Sequence, residues 1–199
     1  MVPKIELRYS RIHDDRYRNS SLIQKNLKKK KKTYPSMKKI ESYTMAVKKV
    51  WKKEEKSILK EMSKITGLKW KEKKIICYVV GIGRSYSDPL TVRLFKNKSD
   101  FVDILTHELI HQIQMQNSSR IKNWFKYINK KYKTETGLTR GHILLHAIHW
   151  KILEKMFGKG RLKKNIKSLQ KLKDYKRAWK IVEKEGADEI IKKFKKIIQ

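Results

Sequence analysis

The sequence predicts an α+β fold in which a small sheet packs on one helix and a mostly helical C-terminal half follows. Two stretches carry the sheet. "KIICYVVGIG" at 74–83 is β-branched and bounded by glycines, and "LTVRLF" at 90–95 alternates apolar and polar side chains. Both are strand patterns. The third observation is that apolar residues elsewhere recur three and four apart, the spacing of helices with one buried face.

From the N-terminus, residues 1–35 are polar and close on the run Lys28, Lys29, Lys30, Lys31 and Lys32. Adjacent like charges repel, so this segment is expected to be a basic, loosely ordered arm, with "KIELRYS" able to pair with a sheet edge. Ser36 is a cap-type residue. Ile40, Tyr43, Val47, Val50, Trp51, Ile58 and Ile65 then mark a helix over 36–66, stopped at Gly67. The strand at 74–83 is followed by "GIGRSYSDP", whose lone glycine pair reads as a turn rather than a phosphate cradle. After the second strand, Ser99 is expected to cap a helix with an apolar stripe of Phe101, Ile104, Leu105, Leu109 and Ile113.

The second half reads as helix after helix. Ile121, Trp124, Phe125 and Ile128 mark one, and "TETGLTRG" reads as a loop. A helix over 142–157 ends at Gly158. Tyr175, Ala178, Trp179 and Val182 form a stripe ended by Gly186, and Ile190, Ile191, Phe194, Ile197 and Ile198 form the last. The expected organisation is the arm at 1–35, a core at 36–158, and a helical extension at 159–199 packed on that core.

Composition bounds the function. The chain has 199 residues and a net charge of +33, which attracts polyanions such as nucleic acid unless the lysines simply cover a solvated surface. The single cysteine, Cys77, excludes an internal disulfide, and within "IICYVV" it reads as a small buried hydrophobe. The N-terminus lacks the apolar region of a signal peptide, and the longest apolar run, 75–82, is too short to span a bilayer. A soluble, intracellular, cytoplasmic protein is expected.

The chemistry lies in "SDFVDILTHELIHQIQ" at 99–114, which contains an H-E-x-x-H at His107, Glu108 and His111. Residues four apart share one helix face, so His107 and His111 can offer two imidazole nitrogens to one metal ion. Glu108 is offset by about 100° and reaches beside the ion, where it can take a proton from a water that the metal polarises. Random order would yield such a match in roughly 2% of chains of this composition. Asp103, one turn earlier, can orient His107 or simply favour the helix N-terminus. A catalytic zinc site needs a third protein ligand. His142, His146 and His149 follow at i, i+4 and i+7, so five of the six histidines fall in two helical clusters. His142 is favoured over His146, because Gly141 lets the backbone approach closely at the start of its helix. Glu135 and Glu154 are rival ligands.

The order helix, strand, loop, edge-like strand "LTVRLF", then a helix bearing "HELIH", resembles the minimal core of the zincin metallopeptidases over about residues 37–157. It is similar in particular to the small gluzincin-like and SprT-like families. The resemblance implies a zincin-like core with Zn²⁺ on His107 and His111 and with Glu108 as general base. It also implies that the strand before the active helix holds an extended peptide by main-chain pairing. His142 stands where gluzincins place a glutamate ligand, and His146 where they keep its orienting partner. No H-x-x-G-x-x-H continuation follows, which excludes a metzincin.

The function expected is a zinc-dependent metallopeptidase acting on protein or peptide, with nucleic-acid-associated proteins as one substrate class. One alternative is a basic nucleic-acid-binding protein with a structural metal. Lysines 28–32 and the aromatic–lysine interleaving of "RIKNWFKYINKKYK" are its non-specific contacts, although Trp124 and Phe125 lie on an apolar stripe that favours core packing. The other alternative is a deformylase-like metal amidohydrolase with Cys77 as a ligand. In the metallopeptidase, the remaining histidine or a nearby tyrosine would stabilise the oxyanion.

Overall fold

The computed structural model describes residues 1–170 and 172–199. The described elements run β1 (Lys4–Arg8), α1 (Arg11–Arg18), α2 (Ser21–Lys29), α3 (Met37–Thr66), β2 (Lys74–Val80), β3 (Tyr86–Ser87) and β4 (Leu90–Arg93). They continue as α4 (Lys98–Gln116), α5 (Lys122–Lys131), α6 (Gly137–Leu169), α7 (Lys173–Glu185) and α8 (Ala187–Ile198). The class is α+β. The chain divides into two compact units, one of Met1–Lys56 with Glu72–Leu109, the other of Ser57–Lys71 with Ile110–Gln199. Both α3 and α4 run through the boundary. Residues 159–199 therefore group with 110–158 rather than forming a separate extension.

The first unit holds one sheet of order β1-β2-β4-β3, parallel except for β3. Its first strand overturns the loosely ordered arm. Ile5 and Leu7 alternate inward with relative exposures of 5% and 2%, and Lys4–Arg8 pairs residue for residue with Lys74–Tyr78 along the edge of β2. Helix α1 is capped by Ser10, whose hydroxyl accepts from the His13 N–H, and it is held by a buried carboxylate. Asp14, fully buried, accepts from the Tyr34 hydroxyl at 2.6 Å, the Gly81 N–H at 2.9 Å and the Arg18 guanidinium at 3.1 Å. Charge repulsion within the lysine run does not melt this segment, because Lys28 to Lys32 all sit exposed at the C-terminal end of α2, where cations favour the helix dipole.

The same anchor explains the "GIG" glycines. A Cβ on Gly81 would stand 2.5 Å from the Tyr34 ring, and one on Gly83 would stand 2.4 Å from the Tyr17 ring. The glycines admit two aromatic rings against the end of β2, not a phosphate. Part of the expected loop is strand β3, which pairs Tyr86 with Thr91 and Ser87 with Leu90. That pairing corrects the edge position expected for 90–95: the outer side of β4 is already taken at Leu90 and Thr91, so a peptide cannot pair there.

Helix α4 differs from expectation at its start and in its surroundings. It begins at Lys98, so Ser99 lies inside the helix and is not its cap. Within Phe101–Gln114 every residue is buried except Ile104 and His111, which are intermediate. An apolar stripe would have left one face in water. Here Asp103, Thr106, His107, Glu108, Gln112 and Gln114 are enclosed along with the apolar residues.

In the second unit, α6 is two helical stretches that meet at Gly158, and the first carries the histidines. It starts at Gly137, five residues before His142, because the Thr136 hydroxyl caps it by accepting from the Thr139 N–H at 3.1 Å. "TETGLTRG" is thus helical from Gly137 onward. Gly158, at φ +81° and ψ 169°, is non-helical and ends the histidine-bearing helix as expected, and a second helical stretch follows it to Leu169. Gly186, at φ +84°, separates α7 from α8, and both pack on α6. Trp124 is buried edge-on against Phe194 at 5.4 Å, whereas Phe125 is 39% exposed and so lies off the core stripe expected of it. No helix among the described residues is long and apolar enough to cross a membrane.

Two glycine substitutions should have opposite signs. Gly81→Ala forces the Tyr34 ring off its carboxylate and should cost about 1–3 kcal/mol in denaturant unfolding. Gly160→Ala meets nothing within 4 Å on a helix and should gain about 0.5–1 kcal/mol. A neutral Gly81→Ala would contradict the close approach.

Candidate metal centre

His107, His111 and His142 each offer one ring nitrogen to a common point, with those atoms within 4.8 Å of one another. His107 and His111 come from successive turns of α4. His142 comes from the second turn of α6, where the Thr136 cap sets it. That cap is itself tied to α7, because Thr136 donates to the Asp174 carboxylate and Thr139 reaches the same carboxylate at 3.1 Å. The rings of His111 and His142 meet edge-on with centroids 5.1 Å apart.

Hydrogen bonding sets the tautomer of His142. Its Nδ1 lies 2.8 Å from the Leu138 carbonyl oxygen, one turn earlier on α6. A carbonyl only accepts, so Nδ1 carries the proton and the lone pair is on Nε2. Metal-ligating histidines are usually oriented in this way.

Burial sets the charge states. It pushes the His111 imidazole down to about 4, with the neighbouring His142 adding to the shift. Burial also lowers His142, against the opposing pull of the Leu138 carbonyl. Both rings are neutral at pH 7, as ligation requires. Burial drives Glu108 the other way, up to about 8, so near neutrality this carboxyl both holds and releases a proton. The three imidazoles could together hold a metal ion.

The remaining expected residues fall outside this set. His146 is fully buried and stacked on Trp179 at 4.3 Å and 11°, its imidazole held well below its ordinary value by burial and then by the other histidines. His149 is fully buried one turn further on. Glu135 accepts twice from the Arg177 guanidinium, at 2.8 and 2.6 Å, and is occupied there. Glu154 is not a member of the cluster. Asp103 is buried on α4, 4% exposed. Cys77 is fully buried on β2, close enough to Glu108 for its charge to add to the upward shift that burial gives the thiol. It is no member of the cluster either, so the deformylase-like ligand set gains no support. Lys28 to Lys32 are exposed on α2 and the turn after it.

Sequence reasoning did not single out Tyr175 for the site. Its ring lies 4.3 Å from that of His142 and 5.6 Å from that of His146. The available signal was the i, i+4 pair Tyr175 and Trp179, which was read only as a packing stripe. No family model, no curated protein and no solved structure matches this chain.

The shifts predict how the metal-free protein responds to pH. Glu108 binds its proton more tightly folded, at about 8, than unfolded, at its ordinary 4.5. The stability it contributes is complete below the ordinary value and is lost as pH rises toward the folded one. His111 acts on the acid side: held at about 4 against 6.5, its contribution is complete above 6.5 and is lost as pH falls. From about pH 6.5 to about pH 8 the Glu108 contribution dominates. Metal-free protein should lose on the order of 2 kcal/mol across that window, and Glu108→Gln should lose almost none. Equal losses in the two proteins would contradict the assignment.

Proposed function

We propose that the chain is a zincin-type, zinc-dependent metallopeptidase in which His107, His111 and His142 hold the metal and Glu108 is the general base. The observation that carries this reading is a three-histidine set with a carboxyl of near-neutral pKa one residue from its first ligand. Three protein ligands leave a fourth position open, the pattern of catalytic rather than structural zinc. Bound there, zinc supplies Lewis-acid polarisation of the scissile carbonyl and of the attacking water.

The chain's own residues do the rest. Glu108 takes a proton at a carboxylate oxygen as the water oxygen adds to the carbonyl carbon. It then delivers that proton to the amine nitrogen as the C–N bond breaks. A group whose proton affinity lies near the working pH serves both transfers. The bond from His142 to the Leu138 carbonyl keeps that ring's lone pair in place throughout. Tyr175, against the His142 ring, is the tyrosine assigned to the developing oxyanion. The +33 charge favours substrates that are themselves bound to polyanions, such as nucleic-acid-associated proteins.

One observation favours a second reading. His107, Glu108 and His142 are only 3%, 8% and 5% exposed, and such enclosure suits a structural metal in a basic nucleic-acid-binding protein. Glu108→Gln separates the two. In a peptidase it should keep the metal and lower hydrolysis of unfolded protein by about 10²–10⁴-fold. Near-normal turnover in that variant would remove Glu108 from the mechanism. A wild-type protein carrying one metal per chain and hydrolysing nothing would favour the structural reading. Among the ligands, His142→Ala should abolish tight metal binding, whereas His146→Ala should weaken it by no more than about 10–100-fold. The reverse order would move the third ligand to His146.

A further inference from the structure

We propose that the hollow between α5 and α8 is a binding site for one unstacked base of a single-stranded nucleic acid. It lies in the second unit, rests on neither the metal nor hydrolysis, and uses none of the residues assigned to them. Its volume is about 300 Å³, at the small end of ligand pockets and too small for a base-paired helix. Trp124, Tyr127 and Tyr132 provide aromatic walls, and Lys131 and Lys193 provide cations.

The walls are held in place before any ligand arrives. Glu185 accepts from the Lys131 ammonium at 2.6 Å and from the Tyr132 hydroxyl, which neutralises that carboxylate and fixes one side. Trp124 is buried against Phe194 and lies 5.5 Å from Tyr127, which fixes the floor. Tyr127 is only half-buried, with the Lys193 and Lys131 ammoniums 5.4 and 5.9 Å from its ring centre. A cation and a stacking surface are thus delivered to the same place. Glu189, in the first turn of α8, can accept from the exocyclic amine of a base.

Charge complementarity identifies the occupant. The segment 121–133 carries five lysines and no acidic residue, and α8 adds Lys192, Lys193, Lys195 and Lys196. Lys131 and Lys193 line the hollow, and Lys126, Lys130 and Lys192 are exposed on the same two helices. A basic track that follows a backbone, interrupted by an aromatic recess for a base, is the recognition mode of single strands. A duplex hides its base faces and would meet only the lysines.

The test uses the full chain, a labelled cytosine-rich single strand of about 15 nucleotides and a duplex of the same length, followed by anisotropy over a range of salt. Wild-type protein should bind the single strand more tightly than the duplex. Tyr127→Ala should weaken single-strand binding by about 5–150-fold and leave duplex binding nearly unchanged, while Tyr127→Phe keeps both. Lys193→Gln, an exposed change that should not disturb the fold, should weaken single-strand binding and lower its log–log salt slope by about 0.7. Metal content should stay at the wild-type level in every variant, so the result is independent of the peptidase reading. Equal affinity of wild-type protein for the two nucleic acids would overturn the proposal. So would unchanged single-strand binding in either Tyr127→Ala or Lys193→Gln.

Discussion

His107, Glu108, His142, His146 and His149 are all less than a tenth exposed, and the cost of taking those groups out of water shapes the interior around them. A buried imidazole resists protonation and a buried carboxyl resists ionisation. The protein accepts both consequences, with His111 pushed down to about 4 and Glu108 up to about 8. Neutral imidazoles crowded together do not repel as charged ones would, so three of them can converge on a point. Three of their ring nitrogens lie within 4.8 Å of one another, a group that could hold a metal ion. The carboxyl beside them keeps its proton until a positive charge draws it off.

Holding that arrangement requires helices that are fixed at their ends. On α6 the work is done by Thr136 and Thr139, which meet the Asp174 carboxylate, and by Arg177, which reaches back to Glu135. These contacts also set Tyr175 and Trp179 against His142 and His146. The stack on Trp179 explains why two histidines one turn apart have different surroundings: one is packed as an aromatic ring, and the other keeps a nitrogen turned toward α4. In the first unit the equivalent anchor is Asp14, which gathers Tyr34, Gly81 and Arg18 and so ties the N-terminal segment to the end of β2.

The His107–His111 pair was legible in the sequence because helix geometry puts i and i+4 on one face, whereas the third histidine comes from another helix. The long helices were legible from their period and from Gly67, Gly158 and Gly186, each at positive φ. Other features depend on partners distant in sequence. Asp14 reads locally as one acidic residue in a basic stretch, and only Tyr34 and Gly81, 20 and 67 residues away, make it an anchor. The order of the N-terminal segment was missed for that reason, although the alternation of "KIELR" pointed to β1. Strand β3 is two residues long and leaves no periodic trace. The enclosure of α4 on nearly all sides was hidden because its polar residues look, in sequence, like a wet face. The separation of His142 from His146 turned on Leu138 and Trp179, whose relation to the histidines exists only once α6 and α7 are packed.

X-ray absorption at the zinc edge, on protein purified without chelators, tests the central claim most directly. The account predicts one zinc per chain with three imidazole nitrogens at about 2.0–2.1 Å, and loss of one imidazole's scattering in His142→Ala. Protein that neither carries nor takes up metal would contradict it, as would a zinc shell containing sulfur.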